Sequence, residues 1–109
     1  MSMSLSNTTR HEILVGLHVT DNESYSNYRA VMTPLLNAVH GSFRYDFTIA
    51  EALVDDSSPA INRLFVISFP DQAAKEALFA DPTYLAAKAK HFDSAVDMVN
   101  IMATYEHAG

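Results

Sequence analysis

The residue type best suited to chemistry is the imidazole of His18. It lies in the run Glu12 to Thr20, EILVGLHVT, on the strand side shared with Leu14 and Gly16. Histidine titrates near neutral pH, so it can act as a general base. Gly16 withholds a side chain two residues away, which would leave room for a ligand. The plainer account is a core histidine bonded to a neighbour, with Gly16 only relieving crowding, because buried polar groups usually have partners. Arg63 opens a second apolar run, RLFVISF. Its guanidinium can hold a carboxylate or phenolate by two parallel hydrogen bonds. It can equally pair with Asp46 or Asp97 across a sheet. Tyr45, Asp46 and Asn100 are polar positions on or between aromatic and apolar ones. Tyr45 and Asn100 can orient an oxygenated ring. A protein interface also uses such residues, since tyrosine is favoured there, and that is the simpler use.

Other residues read as packing. Tyr25, Tyr28 and Tyr84 fall on helical apolar stripes and are most simply core. Met98 and Met102 follow a strand pattern and fill space. A glycine-rich phosphate loop, an HExxH motif and a nucleophile elbow are all missing from the sequence. No close His and carboxylate cluster suits a metal, and no cofactor is expected. Cysteine is absent too, which removes disulfides, thiolate nucleophiles and cysteine-ligated metals. That fits a reducing cytoplasm.

Charge excludes other classes. With 7 Lys plus Arg against 13 Asp plus Glu, the net charge is -6 and no basic run exists. A phosphate backbone or an anionic membrane surface has little to hold, so neither nucleic acid nor membrane is an expected partner. No apolar run approaches the roughly 20 residues a membrane helix needs. Hydrophobic residues at 49% and charged residues at 18% suit an ordered globular domain. The first ten residues, MSMSLSNTTR, lack an apolar core and read as a disordered tail. Residues 11–107 read as one domain.

Those side chains need elements to hold them. Ile13, Val15, Leu17 and Val19 line one face of a first strand by period two. Asp21 and Asn22 offer helix N-caps. Tyr25, Tyr28, Met32, Leu35, Leu36 and Val39 then make an apolar stripe, predicting a helix from about Glu23 to His40. Gly41 is a natural stop, and Pro34 predicts a kink or break. Ser42 to Leu53 reads as a second strand, with Phe43, Tyr45, Phe47 and Ile49 on one side. Asp55 to Ala60 is a turn cluster. Ile61 to Phe69 is a third strand, apolar on both faces and therefore central. Asp71 and Asp81-Pro82 open the second helical region, with Ala74, Ala77, Leu78, Tyr84, Leu85, Ala89 and Phe92 on its buried side. Ser94 to Glu106 is the fourth strand.

The order β-α-β-β-α-β is a split, ferredoxin-like α+β arrangement. Right-handed crossovers put both helices on one face of a four-stranded antiparallel sheet. The other face keeps apolar side chains, an unusual exposure for a monomer. A homodimer with sheets face to face is the simplest cover.

The stretch DNESYSNY (Asp21 to Tyr28), then Pro34-Leu35-Leu36 and Gly41, then RLFVISFPD (Arg63 to Asp71), then Asp81-Pro82-Thr83-Tyr84 resembles domain of unknown function 1330. That family belongs to the dimeric α+β barrel superfamily, and the likeness spans about Glu12 to Glu106. Strand 2 is more aromatic than the family's usual pattern, and Gly41-Ser42 replaces its Gly-Gly. The resemblance implies a fold and a dimer rather than one activity. The superfamily includes cofactor-free monooxygenases, haem-degrading enzymes, lactone isomerases, and dehalogenating or decarboxylating enzymes. Arg63 matches a position often filled by arginine in the family. In haem-degrading members a histidine of the second helical region ligates iron, and His91 lies in that region beside Phe92 and Asp93. A helix C-terminus accounts for His91 and His40 without a ligand. There is no tryptophan to rebuild a haem-ruffling pocket. His11 and His107 lie near the termini and receive no role.

Three functions follow as expectations for a small cytoplasmic protein. One is a cofactor-free small-molecule enzyme, monooxygenase-like or isomerase-like, using His18 and Arg63 beside a pocket between sheet and helices. Another is a non-catalytic ligand-binding or stress-related homodimer. The third is haem binding through His91.

Overall fold

The computed structural model describes residues 9–108. Alternation of aliphatic residues builds β1 (Thr9–Val19), with Ile13, Val15, Leu17 and Val19 buried on one face. Thr9 and Arg10 belong to this strand, so it begins inside the segment expected as a tail. Residues 1–8 of that segment lie outside the described residues. Arg10 is held in place: its Nε donates to Ser68 Oγ at 3.0 Å and its Nη2 to the His40 carbonyl at 2.9 Å. His11, expected near a loose end, is buried, with Nδ1 2.6 Å from Glu106 Oε2.

Asp21 caps α1 (Asn22–Ala38) by accepting from the Ser24 amide. Tyr25, Tyr28, Met32 and Leu36 form its buried stripe. Pro34 sits inside this helix without breaking it. One missing amide removes one rung of the ladder, and burial of Met32 and Leu36 on either side holds the rest. At the C-terminus His40, not Gly41, takes the left-handed conformation, with φ 63°. The Gly41 amide then closes back on the Leu36 carbonyl at 2.9 Å. Gly41 is needed for space instead. A Cβ there would overlap the Leu36 side chain and stand 3.2 Å from the Ser68 carbonyl.

β2 (Ser42–Thr48) ends well before Leu53, and β3 spans Arg63–Phe69. Asp55 organises the connection between them, accepting from the Ser57 amide at 2.8 Å and the Ile61 amide at 2.7 Å. A bulge at Arg44 changes the faces of β2. Phe43 stands opposite Ile67, but Tyr45 stands opposite Val66. Phe43 therefore faces the helices, 5.5 Å from the Phe65 ring, while Tyr45 and Phe47 face away. Simple alternation had put all three together.

Asp71 and Asp81 cap α2 (Gln72–Ala80) and α3 (Pro82–Ala87). One wide helical turn, Lys88–Phe92, leads to β4 (Val96–Ala108). The sheet order is β2-β3-β1-β4, and every neighbouring pair is antiparallel. Each β-α-β unit thus encloses one strand of the other, as a ferredoxin-like α+β fold requires. The core lies between the helices and the face made by Ile13, Val15, Leu17, Phe65, Ile67 and Phe69. The opposite face carries Leu14, Leu64, Val66, Tyr45 and Phe47, with no helix over it.

Candidate functional site

Strand register separates the two residues expected to form a catalytic unit. His18 stands opposite Met98 on the helix-free face, in step with Gly16 and Leu14. Arg63 stands opposite Leu17, whose side chain is in the core, and so faces the helices. A residue offset of one reverses the face. His18 also has a partner, its Nδ1 lying 2.6 Å from the Ala60 carbonyl. The room beside it is filled, because a Cβ on Gly16 would meet Ile61 Cδ1 at 2.7 Å. Gly16 therefore admits the incoming end of β3 rather than a ligand. His18 and Arg63 do not act as one site.

Arg63 is committed to Asp46. Its Nε donates to Oδ1 at 2.8 Å and its Nη2 to Oδ2 at 3.0 Å, the two-pronged geometry that makes such pairs strong. Arg29 from α1 adds a third bond, Nη1 to Asp46 Oδ2 at 3.0 Å. The Arg29 guanidinium also lies 3.8 Å from the Phe43 ring centroid, and its Nε donates to the Tyr25 hydroxyl at 2.9 Å. Burial opposes charge on Asp46, but the bonds from Arg63 and Arg29 outweigh it and hold the carboxyl below its usual value. Of the two pairings open to Arg63, the structure has Asp46, not Asp97.

The remaining expected site residues do not converge. Asp46 faces the helices, while Tyr45 and Asn100 lie on the helix-free face, on β2 and β4, with β3 and β1 between them. His91 sits in the wide turn, where its backbone carbonyl accepts from Ser24 Oγ at 2.9 Å. None of His18, Arg63, Asn100 and His91 lines either cavity described for this chain.

The larger cavity has a volume of about 540 Å³ and opens between the sheet and the helices. Its floor is Ile13, Val15, Leu17, Phe65 and Ile67 from β1 and β3. Its walls are Tyr28 of α1, Phe79 of α2, Tyr84 of α3, and Phe92. Val99 and Ile101 of β4 form the open edge, and Lys88, Asp93 and Asp97 stand at the mouth. Such a volume, mainly apolar with few polar groups, suits a small organic ligand. Two of its lining residues, Tyr28 and Tyr84, join their hydroxyls at 2.9 Å. Both rings are buried, and burial pushes both phenols above their usual value. They are hydrogen-bond donors at neutral pH, not bases. Lys88 Nζ is bonded to Asp93 Oδ1 at 2.9 Å.

Sequence reasoning read Tyr28 and Tyr84 as plain core. The available signal was tyrosine in place of phenylalanine on two apolar stripes, because a buried hydroxyl needs a partner. A smaller depression on the helix-free face is lined by Leu14, Tyr45, Phe47, Leu64, Phe65 and Val66. Among the described residues no group of three His, Asp or Glu side chains could hold a metal ion. No described helix is long and apolar enough to cross a membrane.

Comparison with known proteins agrees with this architecture. A protein of unknown function from Rhodopseudomonas palustris superposes with a TM-score of 0.76 at 17% identity, covering 94% of this chain and 83% of that one. A dimeric ferredoxin-like protein of unknown function from Jannaschia superposes at 0.60 with 18% identity, covering 90% and 97%. A hydroxynitrile lyase from Passiflora edulis superposes at 0.60 with 15% identity, covering 93% of each chain. At these identities the likeness is one of fold. No curated protein matches the chain. The family model of domain of unknown function 1330 matches residues 13–105, nearly the whole chain, and the protein belongs to that family.

Proposed function

We propose that this protein is a homodimer in which each protomer binds one small, mainly apolar molecule in the cavity between sheet and helices. The observation that carries the reading is the cavity itself, about 540 Å³ with an apolar lining and two neutral hydroxyls. A chain of this size with a fully packed interior would argue for a purely structural dimer instead. The polar work shifts from His18 and Arg63, which already have partners, to Tyr28 and Tyr84.

Dimerisation rests on the other face of the sheet. Tyr45, Phe47 and Met102 are about half exposed there or at its rim, beside Leu14, Leu64 and Val66. An apolar surface of this kind favours a second copy. The structurally similar Jannaschia protein is described as dimeric. Packed face to face, two sheets would close into an α+β barrel with the helices outside.

Two measurements test the reading. Equilibrium dialysis with naphthalene is expected to give saturable binding of one molecule per protomer. Val99→Trp, placed at the half-exposed cavity edge, is expected to abolish it without unfolding the protein. Unsaturable binding, or binding indifferent to that change, removes the cavity reading. Gel filtration with light scattering is expected to give a dimer at micromolar concentration, and Phe47→Asp, at an exposed position of the helix-free face, a monomer. A monomeric native protein removes the dimer.

A further inference from the structure

We infer that the Tyr28–Tyr84 pair recognises a carbonyl oxygen, so that the cavity selects neutral, flat carbonyl compounds over hydrocarbons of the same shape. The inference rests on the cavity reading and names its ligand class.

Each phenol carries one proton, and the contact at 2.9 Å uses one of the two. No other acceptor among the described residues bonds either hydroxyl. One donor is therefore left over in a buried, apolar place, where an unmade hydrogen bond is costly. A ligand oxygen relieves that cost, and a hydrocarbon does not. The leftover donor is also a good one. Its oxygen already accepts from the neighbouring phenol, which polarises its own O–H, and the low dielectric strengthens the chain of bonds. Burial keeps both groups protonated, so they donate rather than accept a proton.

The surroundings define the rest of the molecule. The Tyr28 and Phe92 rings lie 4.9 Å apart, and the Phe79 and Tyr84 rings 5.3 Å apart and edge-on. These rings pack on one another and form an aromatic wall of the cavity, against which a flat ring system can lie. The charged residues lining the cavity are Asp93, Asp97 and a single ammonium, Lys88, which Asp93 already engages. The balance there is negative, which repels a carboxylate and admits a neutral ligand.

Three naphthalenes of similar shape test this: 2-acetylnaphthalene, 2-ethylnaphthalene and 2-naphthoate, followed by ligand fluorescence, which no tryptophan obscures. The native protein is expected to bind the ketone about tenfold more tightly than the ethyl compound, the worth of one well-made hydrogen bond in such a site. Naphthoate is expected to bind more weakly than the ketone. In the double variant Tyr28→Phe/Tyr84→Phe the ketone preference should vanish, because either single change leaves one phenol proton unpaired, while the ethyl compound keeps its affinity, which also shows that the variant is folded. If the double variant fails to fold, the two single variants carry the test: each keeps one donor without the neighbour that polarises it, and its preference should fall below the native one. The carbonyl stretch of the bound ketone should lie at lower frequency in the native protein than in the variants. Equal affinities for ketone and ethyl compound, tighter binding of naphthoate, or a preference surviving both substitutions overturns the inference and leaves the cavity reading standing. Binding of none of the three overturns both.

Discussion

Arg44 Nη1 donates to Glu12 Oε1 at 2.9 Å, and the carboxylate it holds is fully buried on the helix-free face of the sheet. Arg44 is the extra residue of the β2 bulge, so an irregularity in one strand serves a charge two strands away. Register brings Glu12 opposite Ser68 and Tyr105 as well. Burial opposes the charge on Glu12, but the Ser68 hydroxyl, Arg44 and the Tyr105 hydroxyl together outweigh it, and the carboxyl titrates below its usual value.

A pH dependence of stability follows. Glu12 and Asp46 both have lowered values in the folded protein. Their contribution is complete above the unfolded carboxylate range, about pH 4 to 5, and is lost as pH falls through the folded values. Urea melts across acid pH should show falling stability below about pH 5. The decline should be shallower in Glu12→Gln. The same slope in Glu12→Gln and Asp46→Asn as in the native protein would contradict the assignment.

Asp46 joins α1 to β2 and β3 through Arg29 and Arg63. Asp46→Asn leaves two guanidiniums facing each other without a counter-charge. The melting temperature should drop by about 5 °C or more. Arg63→Lys should cost less, since it keeps the charge but loses the two-pronged bond. Naphthalene binding should be unchanged in both variants, because neither residue lines the cavity. A fall in affinity at constant stability would return Arg63 to the site.

The two close glycine approaches should differ in cost. At Gly41 a methyl group meets Leu36, which is fully buried, and the Ser68 backbone. Gly41→Ala should destabilise by about 2 kcal/mol in chemical denaturation. At Gly16 the methyl group meets the side chain of Ile61, whose outer end can swing aside. Gly16→Ala should cost less, and Ile61→Ala should offset most of it. A larger loss at Gly16 than at Gly41 would mean that the segment before β3 is held more rigidly than its contacts indicate.

The tyrosines provide an optical check on the cavity. Burial raises Tyr25, Tyr28 and Tyr84. A raised folded value gives stability that is full below the ordinary phenol range, about pH 10, and is lost above it. In an alkaline titration followed by phenolate absorbance, these three should ionise only as the protein unfolds. Early, reversible ionisation of Tyr28 or Tyr84 would show a wetter cavity than the buried rings imply.

The chain itself determines its elements and their order. Period-two runs make the strands, Asp21, Asp71 and Asp81 start the helices, and β3, apolar on both faces, has to be central. Those rules act over a few residues, so they can be read directly, and they suffice for a split α+β fold. The family resemblance spans the same residues and adds no site. What the tertiary structure decides is which side chains meet. The bulge at Arg44 turns Tyr45 away from Phe43, and register puts His18 and Arg63 on opposite faces. Ile61 enters from a connection 45 residues downstream and closes the space that Gly16 leaves. Tyr28 and Tyr84 stand 56 residues apart in sequence, on helices that touch only because both pack on the sheet. Their pairing depends on that shared packing, so a tyrosine on each apolar stripe signals a buried hydroxyl in need of a partner but cannot say which partner it meets.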